Sequence, residues 1–513
     1  MPKFRDANLT QPPLILAMDQ GTTSSRALIF DAQANIVSSA RQAFTQYFPA
    51  DGWVEHDPED IWRTSLETAR TALSDAEKQG RRVATIGITN QRETVIVWNR
   101  ATGKPIHRAL VWQDRRTAAA CRALQNVGRE VMITAKTGLL LDPYFSASKI
   151  AWLLDNISGA RAAAENGELA FGTVDTFLIW RLTDGRVHAT DETNASRTSL
   201  FNIHTGKWDD ELLALFNIPL SLLPEVKPSA ADFGETAPDI FGRAIPINGV
   251  AGDQQAAAFG QGCTKAGMAK ATYGTGCFVL MNTGAQAVQS TNRLLTTRAC
   301  RIGDIPQFAL EGSIFIAGAV AQWLRDGLQI INDSAESEAI ASGLNSNEGV
   351  YLVPAFTGLG APHWDSEARG AIYGLTRGVG RQHIIRAALE SVAYQTADLL
   401  AALKADGAAA DMVRVDGGMS ANNWLMQFIS DVSNTALERP SNIETTALGA
   451  AFLAGLQAGI WHDEAELLTL NGADRLFAAQ MSPDGRSALL KQWNIAVKTT
   501  RYRAKLQSEL GDI

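Results

Sequence analysis

The chain alternates between short apolar runs that predict strands and amphipathic patterns that predict helices. Residues 14–18 are continuously apolar, as in a strand buried on both faces, and residues 27–30 form a second run after a polar loop. Residues 383–400 carry apolar side chains along one side of a helix. Asp57 and Pro58 suit the N-cap and first position of another helix. This alternation predicts an α/β fold.

Two further apolar segments, 81–90 and 94–99, predict a strand and its hairpin partner. The tight turn between them contains Arg92 and Glu93, a donor fork beside an acceptor carboxylate. Such a pair suits two neighbouring hydroxyl groups of a neutral polyol better than it suits an acid. The alternative is an ion pair on the surface of the hairpin, which would contribute little.

The opening pattern occurs again in the second half of the chain. Residues 269–282 repeat the strand, the Gly-Thr turn and the second strand with which the chain begins. The two turns, at Gly21 and Gly274, are separated by about half of the chain. The sequence therefore predicts two α/β domains of like architecture, residues 1–261 and 262–513, with a cleft between them. Chance similarity is the alternative, because Gly-Thr turns are common.

Composition and charge identify an ordinary globular protein. The chain has 513 residues, too many for one core, and is 46% hydrophobic and 19% charged. A formal net charge of −8 argues against a surface that binds nucleic acid or another polyanion. The apolar run after residues 1–13 is too short for a signal peptide, and no later run is long enough to span a membrane.

The cysteines carry no metal or disulfide pattern. The chain has four cysteines, Cys121, Cys263, Cys277 and Cys300. They show neither CxxC spacing nor a nearby histidine cluster, which argues against a zinc site and against a disulfide framework. This usage fits a reducing compartment. Together with the short apolar run near the N-terminus, it predicts a cytoplasmic protein.

Three glycine turns are candidate phosphate sites. In "DQGTTSSR", backbone N–H groups, hydroxyls and a guanidinium can donate to an anion, and Asp19 beside them suits a divalent metal. The alternative is a polar loop in which Asp19 bonds its own backbone. "YGTG" and "VDGGMSANN" are the other two, and the second opens a helix whose N-terminus favours anions. A tight turn is the alternative for "DGG" alone. The chain has no GxxxxGK[ST] and no GxGxxG after a strand.

A carboxylate on the acceptor side lies half a chain away from the first loop. Asp253 follows the apolar segment 247–252 and precedes an Ala-rich helical pattern. At the edge of a cleft it could take a proton from a hydroxyl group. The alternative is that Asp253 is the N-cap of the helix, the more common role of an aspartate there.

A series of motifs resembles the FGGY family of carbohydrate kinases, and most specifically its glycerol kinases. The match runs in order from Leu14 to Gly459 and includes "DQGTTSSR", "GITNQRET", "VWQDRRT", "DPYFS", "TNASRT", "AGDQQAA", "TYGTGCF", "PAFTGLGAPHWD" and "RVDGGMSANN". The resemblance implies two domains of the actin-like, ribonuclease-H-like ATPase fold around a catalytic cleft. It also implies Mg²⁺-dependent transfer of phosphate from ATP to glycerol, giving sn-glycerol 3-phosphate. The expected enzyme is a homodimer or homotetramer that binds no nucleic acid and does not insert into a membrane.

The resemblance also assigns roles to individual residues. Asp19 and Asp253 would hold Mg²⁺, and Asp253 would be the general base. The residues implied for the phosphates are Thr22, Thr23, Ser24 and Arg26. Those implied for the rest of the nucleotide are Thr275, Gly318, Gln322, Gly418 and Asn422. Those implied for glycerol are Arg92, Glu93, Tyr144, Asp253 and Gln254, with Trp112 and Phe278 as walls.

Two other functions fit part of the pattern. A kinase of the same family acting on another polyol or a sugar, such as xylulose, would need a wider acceptor pocket. An actin-like or Hsp70-like ATPase without kinase activity would explain the phosphate loops but leave "NQRE" and "GDQQ" without a role.

Overall fold

The computed structural model describes residues 13–365 and 367–510; residues 1–12, on which the argument against a signal peptide partly rests, lie outside them. The elements before residue 261 build one large sheet and several small ones. Their strands are β1 (Leu14–Gln20), β2 (Ser24–Phe30), β3 (Ile36–Ala43), β4 (Gln46–Tyr47), β5 (Glu55–His56), β6 (Val83–Asn90), β7 (Ile96–Asn99), β8 (Ala109–Leu110), β9 (Leu169–Gly172), β10 (Ala189–Asp191), β11 (Phe201–Asn202), β12 (Lys207–Trp208), β13 (Glu225–Lys227) and β14 (Ile247–Gly252). Their helices are α1 (Pro58–Glu77), α2 (Ala118–Asn126), α3 (Glu130–Thr137), α4 (Ser146–Asn156), α5 (Ala160–Glu165), α6 (Val174–Leu182), α7 (Glu192–Ala195), α8 (Asp210–Phe216), α9 (Pro238–Phe241) and α10 (Asp253–Gly260).

The elements after residue 261 build a second large sheet with its own helices. Their strands are β15 (Ala269–Tyr273), β16 (Cys277–Gly284), β17 (Leu295–Arg298), β18 (Phe308–Ile314), β19 (Tyr351–Val353), β20 (Ala371–Tyr373), β21 (Met412–Asp416), β22 (Ala436–Pro440) and β23 (Ala473–Phe477). Their helices are α11 (Gly318–Gln322), α12 (Glu336–Ser342), α13 (Arg381–Ala405), α14 (Asn423–Ser433), α15 (Thr445–Ala458), α16 (Glu464–Leu468) and α17 (Pro483–Leu510).

The two large sheets share one strand order, which confirms the prediction of two like architectures. The first sheet runs β3-β2-β1-β6-β14, and the second contains β18-β16-β15-β21-β22 in the corresponding places. In both, the first three strands are antiparallel and the last two run parallel to the central strand. The second sheet adds β17 and β23 at its edges. Chance similarity of two turns would not reproduce this order.

The predicted partner of β6 is wrong. Residues 94–99 do form a strand, β7, but it pairs with β9 in a separate small sheet. The reason is that β6 lies between β1 and β14, so that both of its edges are already hydrogen-bonded. The local pattern indicated a strand correctly, but its partner is set by chain segments far away.

Local signals place α1 and the central strands as expected. Asp57 caps α1 by accepting from Glu59 N, and Pro58 is the first helical residue. Every residue of β1 is buried, because α1 covers one face of the sheet and α15 covers the other. A strand covered on both faces needs the continuous apolar run seen in the sequence.

Helices α10 and α15 cross with their backbones in contact, although they follow different sheets. A Cβ on Gly260 of α10 would lie 2.0 Å from the carbonyl oxygen of Thr445. A Cβ on Gly449 of α15 would lie 1.8 Å from the carbonyl oxygen of Ala256. Both helices contribute to one apolar cluster with the first sheet. The crossing therefore joins the two halves at a distance that only glycine allows.

Within residues 13–365 and 367–510, no helix is both long and apolar enough to cross a membrane.

Replacing Gly449 with Ala is expected to destabilise the protein by about 1–3 kcal/mol, because the added methyl group overlaps the backbone of α10. Thermal and urea midpoints should both fall. Gly472→Ala is the control, since a Cβ there meets no atom within 4 Å. Equal midpoints for the two variants would show that the helix crossing tolerates a side chain.

Candidate active site

The candidate site lies at the edge where the parallel strands of the first sheet end. Asp19 of β1 is opposite Thr89 of β6, and Gly252 of β14 is opposite Asn90 of β6. Parallel strands present their carboxyl ends at one edge, where α/β proteins bind ligands. The first hairpin loop, the turn after β6 and Asp253 therefore come together.

The first hairpin loop is tied to both halves of the chain. Arg26 lies opposite Asp19 in the β1–β2 ladder and contacts its carboxylate, and Arg26 Nη1 donates to Glu444 Oε2 at 2.7 Å. The interpretation of Asp19 as a residue that bonds only its own backbone is therefore wrong. Burial raises the pKa of Asp19, and the Arg26 charge opposes this rise. Trp112 Nε1 donates to Thr22 Oγ1 at 3.0 Å, which links this loop to the acceptor side.

The hydroxyl groups of the loop differ in accessibility. Thr22 is half-buried and Thr23 is exposed, whereas Ser24 is buried and its Oγ accepts from Arg41 Nε at 3.2 Å. Thr23 is thus the residue most open to a ligand. The assignment of these three side chains and of Arg26 to the phosphates stays a prediction.

The turn after β6 is tight, buried and strained. Thr94 N donates to the carbonyl oxygen of Arg92 at 2.7 Å across Glu93, whose φ is 60°. A positive φ is unfavourable for glutamate and persists only where surrounding contacts enforce it. Arg92 and Glu93 are 3% and 1% exposed. The alternative of a surface ion pair is therefore wrong.

Arg92 and Glu93 belong to a buried group of four charges. Arg92 donates to Glu311 through Nη1 at 2.5 Å and Nη2 at 3.0 Å. Arg197 donates to Glu311 Oε1 at 2.9 Å and to Glu93 Oε1 at 2.5 Å. Burial alone would raise the pKa of Glu311, but Arg197 and Arg92 outweigh it and hold this pKa at about 2. The two cations and two anions cancel, which makes their burial tolerable.

Asp253 is the first residue of α10, and Gly252 is its N-cap, so the alternative that Asp253 caps the helix is wrong. Its Oδ1 accepts from Gln254 N at 2.7 Å and lies 3.2 Å from Arg92 Nε. Burial raises the pKa of Asp253, Arg92 and Lys270 lower it, and Asp19 adds to the rise. The side chain remains 32% exposed. The result is an accessible carboxylate with increased basicity.

Three aromatic rings lie beside these charges. The Trp112 ring is 5.6 Å from that of Tyr144 and 6.4 Å from that of Phe278, both at nearly right angles. Trp112 and Tyr144 come from the first half and Phe278 from β16 of the second. Burial and then the charge of Glu93 raise the pKa of Tyr144, so its hydroxyl keeps its proton as a donor.

A fully buried lysine from β15 reaches across to the acceptor side. Lys270 Nζ contacts Gln254 Oε1 and donates to Thr272 Oγ1 at 2.9 Å. Burial lowers the pKa of Lys270, while Asp416 and then Asp253 raise it. Gln254 is therefore held from the second half of the chain.

The second-half turns approach each other through glycine backbones. Gly318 N donates to the carbonyl oxygen of Gly274 at 2.9 Å, and a Cβ on Gly318 would lie 2.5 Å from that oxygen. Gly417 has a φ of 86°, and a Cβ on it would lie 2.5 Å from the carbonyl oxygen of Tyr273. The "YGTG" turn, the start of α11 and the "DGG" turn thus form one surface.

The remaining predicted nucleotide residues belong to these turns or to the helices that follow them. Thr275 is exposed at the tip of its turn, and Gly418 faces open space. Asn422 caps α14, its side chain accepting from Leu425 N at 2.9 Å. Gln322 is exposed at the end of α11. Their contacts with a nucleotide stay predictions.

Two family models match most of the chain. The N-terminal domain of the FGGY family of carbohydrate kinases matches residues 14–260, and the C-terminal domain matches residues 269–458. The chain belongs to the FGGY family of carbohydrate kinases. The family resemblance and the fold predicted from it are confirmed.

Individual FGGY proteins are similar over nearly the whole chain. A glycerol kinase of Rhodospirillum centenum is 62% identical over 492 residues, covering 96% of this chain and 99% of the relative. The crystal structure of Plasmodium falciparum glycerol kinase with ADP superposes with a TM-score of 0.91 at 40% identity, covering 95% of this chain and 98% of that one. A ligand-bound xylulose kinase of Lactobacillus acidophilus reaches a TM-score of 0.88 at 20% identity, covering 97% and 100%, which shows the shared fold.

The carboxylates of this FGGY kinase suit Mg²⁺ rather than a metal held by protein ligands alone. No group of three or more His, Cys, Asp or Glu side chains among the described residues could hold a metal. Mg²⁺ is usually bound by one or two carboxylates together with waters and phosphate oxygens. Asp19 and Asp253 are both carboxylates at the edge where the parallel strands end, and the charge of Asp19 raises the pKa of Asp253.

Sequence reasoning missed the buried partners of the predicted site residues. Glu311 and Lys270 are lone charges in apolar strand patterns, "FALEGSI" and "AKATY", and that placement was the available signal. Arg197 lies within "TNASRT", one of the motifs that carry the family resemblance. Gln255, whose Oε1 accepts from Arg92 Nη1 at 3.1 Å, lies likewise within one of these motifs, "AGDQQAA".

Proposed function

We propose that this FGGY kinase transfers the γ-phosphoryl group of ATP to a terminal hydroxyl of glycerol. The observation that carries the proposal is the position of Asp253, an accessible carboxylate of raised pKa beside the Arg92–Glu93 turn. The sequence identity of 62% to a glycerol kinase, over nearly the whole chain, supports glycerol as the acceptor.

The electrostatics favour a neutral acceptor. Each guanidinium of the four-charge group already faces carboxylates within the protein. An acidic substrate would need an unpaired cation, whereas a polyol needs donors and acceptors without net charge. The rings of Tyr144 and Phe278 both pack against Trp112, and we infer that this aromatic wall favours a three-carbon chain over a sugar such as xylulose.

The residues act mainly by positioning and by holding one proton. Arg92, Glu93 and Tyr144 orient the triol, and Asp253 accepts the proton of the hydroxyl that attacks phosphorus. The new oxygen–phosphorus bond forms as the bond to the leaving ADP breaks. Asp19 and Asp253 would hold Mg²⁺, which neutralises charge on the phosphates when bound. Assembly as a homodimer or homotetramer stays a prediction.

A coupled ADP-release assay with ATP and Mg²⁺ tests the proposal directly. Glycerol should stimulate turnover strongly, and xylulose should stimulate it weakly. Turnover that responds to xylulose instead would favour a sugar kinase of the same family, and turnover that ignores both would favour an ATPase without kinase activity.

Asp253→Asn is expected to lower kcat by about 10²–10⁴-fold, because the amide cannot accept the hydroxyl proton. Glycerol binding, measured by calorimetry, should be largely retained. Asp239→Asn serves as the control, since Asp239 is exposed on α9. A kcat close to that of the parent enzyme would remove Asp253 from the role of base.

Asp19→Ala is expected to raise the Mg²⁺ concentration needed for half-maximal rate, because a carboxylate proposed to orient the metal is lost. For the same reason, kcat should fall by at least about 10²-fold. The thermal midpoint should change little, because Asp19 lies near the end of β1 and Arg26 keeps Glu444 as a partner. Unchanged Mg²⁺ dependence, or an unfolded variant, would contradict the assignment.

Lys270→Met should move the acid limb of the kcat/KM profile to higher pH. The lysine charge lowers the pKa of Asp253, so its removal raises that pKa, and the base is then lost at a higher pH. Lys265→Met removes the same charge from an exposed position and is the control. An acid limb that is identical in both variants would contradict this electrostatic link.

A further inference from the structure

We propose that Glu311 is a positioning residue for the acceptor site, a role that rests on the proposed function. Glu311 lies on β18, far in sequence from the turn that it supports, and is completely buried. It makes three hydrogen bonds to the guanidinium groups of Arg92 and Arg197.

The hydrogen bonds to Glu311 fix the orientation of the Arg92 guanidinium. Glu311 engages both terminal nitrogens, Nη1 and Nη2, in the bidentate arrangement that gives the most defined geometry for a guanidinium. Nη1 also donates to Gln255 Oε1 at 3.1 Å, and Nε lies 3.2 Å from Asp253 Oδ1. Glu311 thus presents one edge of Arg92 to the acceptor side and holds the other edge away from it.

Glu311 also acts on Glu93, through Arg197. Arg197 Nη2 bonds Glu311 while Arg197 Nε bonds Glu93 Oε1 at 2.5 Å. The guanidinium of Arg197 additionally lies 5.6 Å from the ring centre of Tyr144. A single carboxylate therefore orients, directly or through one arginine, the three residues proposed to grip the triol.

Removing the charge of Glu311 would leave the charges of Arg92, Arg197 and Glu93 unbalanced. The four-charge group would change from neutral to positive, and Arg92 would keep Asp253 at 3.2 Å and Glu93 at 3.9 Å as its nearest carboxylates. Arg92 would lose the partner that engages both of its terminal nitrogens, and its orientation at the acceptor side would become less defined. The expected consequence is weaker glycerol binding, with the base itself still in place.

Acceptor recognition then involves both halves of the chain. Apart from the ring of Phe278, the residues predicted for glycerol lie within residues 1–261. Glu311 belongs to the second half, so the acceptor site is complete only when β18 lies against the turn after β6. Glycerol affinity should then depend on a residue that contacts neither substrate.

Glu311→Gln tests this role, because glutamine keeps the shape and loses the charge. The KM for glycerol should rise by about tenfold or more, the loss expected for a charged hydrogen bond. The KM for ATP and kcat should each stay within about threefold, as expected when ground-state acceptor binding is lost. Glu311→Asp keeps the charge and should give a smaller rise.

Glu390→Gln is the matched control for burial and ion pairing. Glu390 is also buried in the second half and accepts from Arg386 Nε at 2.7 Å and from Asn347 Nδ2 at 2.7 Å, without contacting any predicted site residue. It should lower the thermal midpoint and leave the KM for glycerol unchanged. A glycerol KM for Glu311→Gln within twofold of the parent value would overturn the proposal.

Two further outcomes are also decisive. If Glu311→Gln does not fold, Glu311→Asp decides alone: a threefold or greater rise in the glycerol KM supports the role, and an unchanged value overturns it. A parent enzyme that does not phosphorylate glycerol would instead overturn the proposed function, and the positioning role with it. A parent enzyme that does so, with variants of unchanged KM, would overturn the positioning role alone.

Discussion

The backbone contact between α10 and α15 is the constraint on which the site depends. Both helices begin at the cleft, α10 with Asp253 and α15 beside Glu444, which accepts from Arg26. Because Gly260 and Gly449 let the helices touch, their N-termini are fixed relative to each other. A larger residue at the crossing would displace both N-termini, and with them the base of one half and the Arg26 partner of the other.

Polar contacts cross the seam between the halves: two ion pairs, of which Arg92–Glu311 is buried, and one contact from a lysine to an amide. Arg26 bonds Glu444, Arg92 bonds Glu311, and Lys270 contacts Gln254, each from the opposite half. Buried ion pairs are weak sources of stability, because desolvation offsets much of the attraction. Their value here lies in orientation: each pair fixes a side chain next to a carboxylate or amide at the cleft. The apolar clusters supply the stability, and the charges supply the geometry.

The sequence was sufficient for features set by local chemistry and insufficient for those set across the chain. It predicted both glycine hairpins, the cap of α1 at Asp57 and the polar residues at strand ends, because burial, capping and turns leave local patterns. It placed residues 94–99 beside β6, since nothing local shows that both edges of β6 are occupied. Glu311 was missed because its partners, Arg92 and Arg197, are brought to it only by the fold.

The duplicated architecture explains why the two halves divide the chemistry. The hairpins β1–β2 and β15–β16 are equivalent in the two sheets, and Asp19 opposite Arg26 corresponds to Thr272 opposite Phe278. One hairpin therefore presents an ion pair to its loop, and the other presents a hydroxyl and an aromatic ring. The first suits charge and metal, whereas the second leaves an uncharged turn whose glycines let the backbone approach a ligand closely. One hairpin geometry thus supports two different surfaces, because the residues at its strand ends differ.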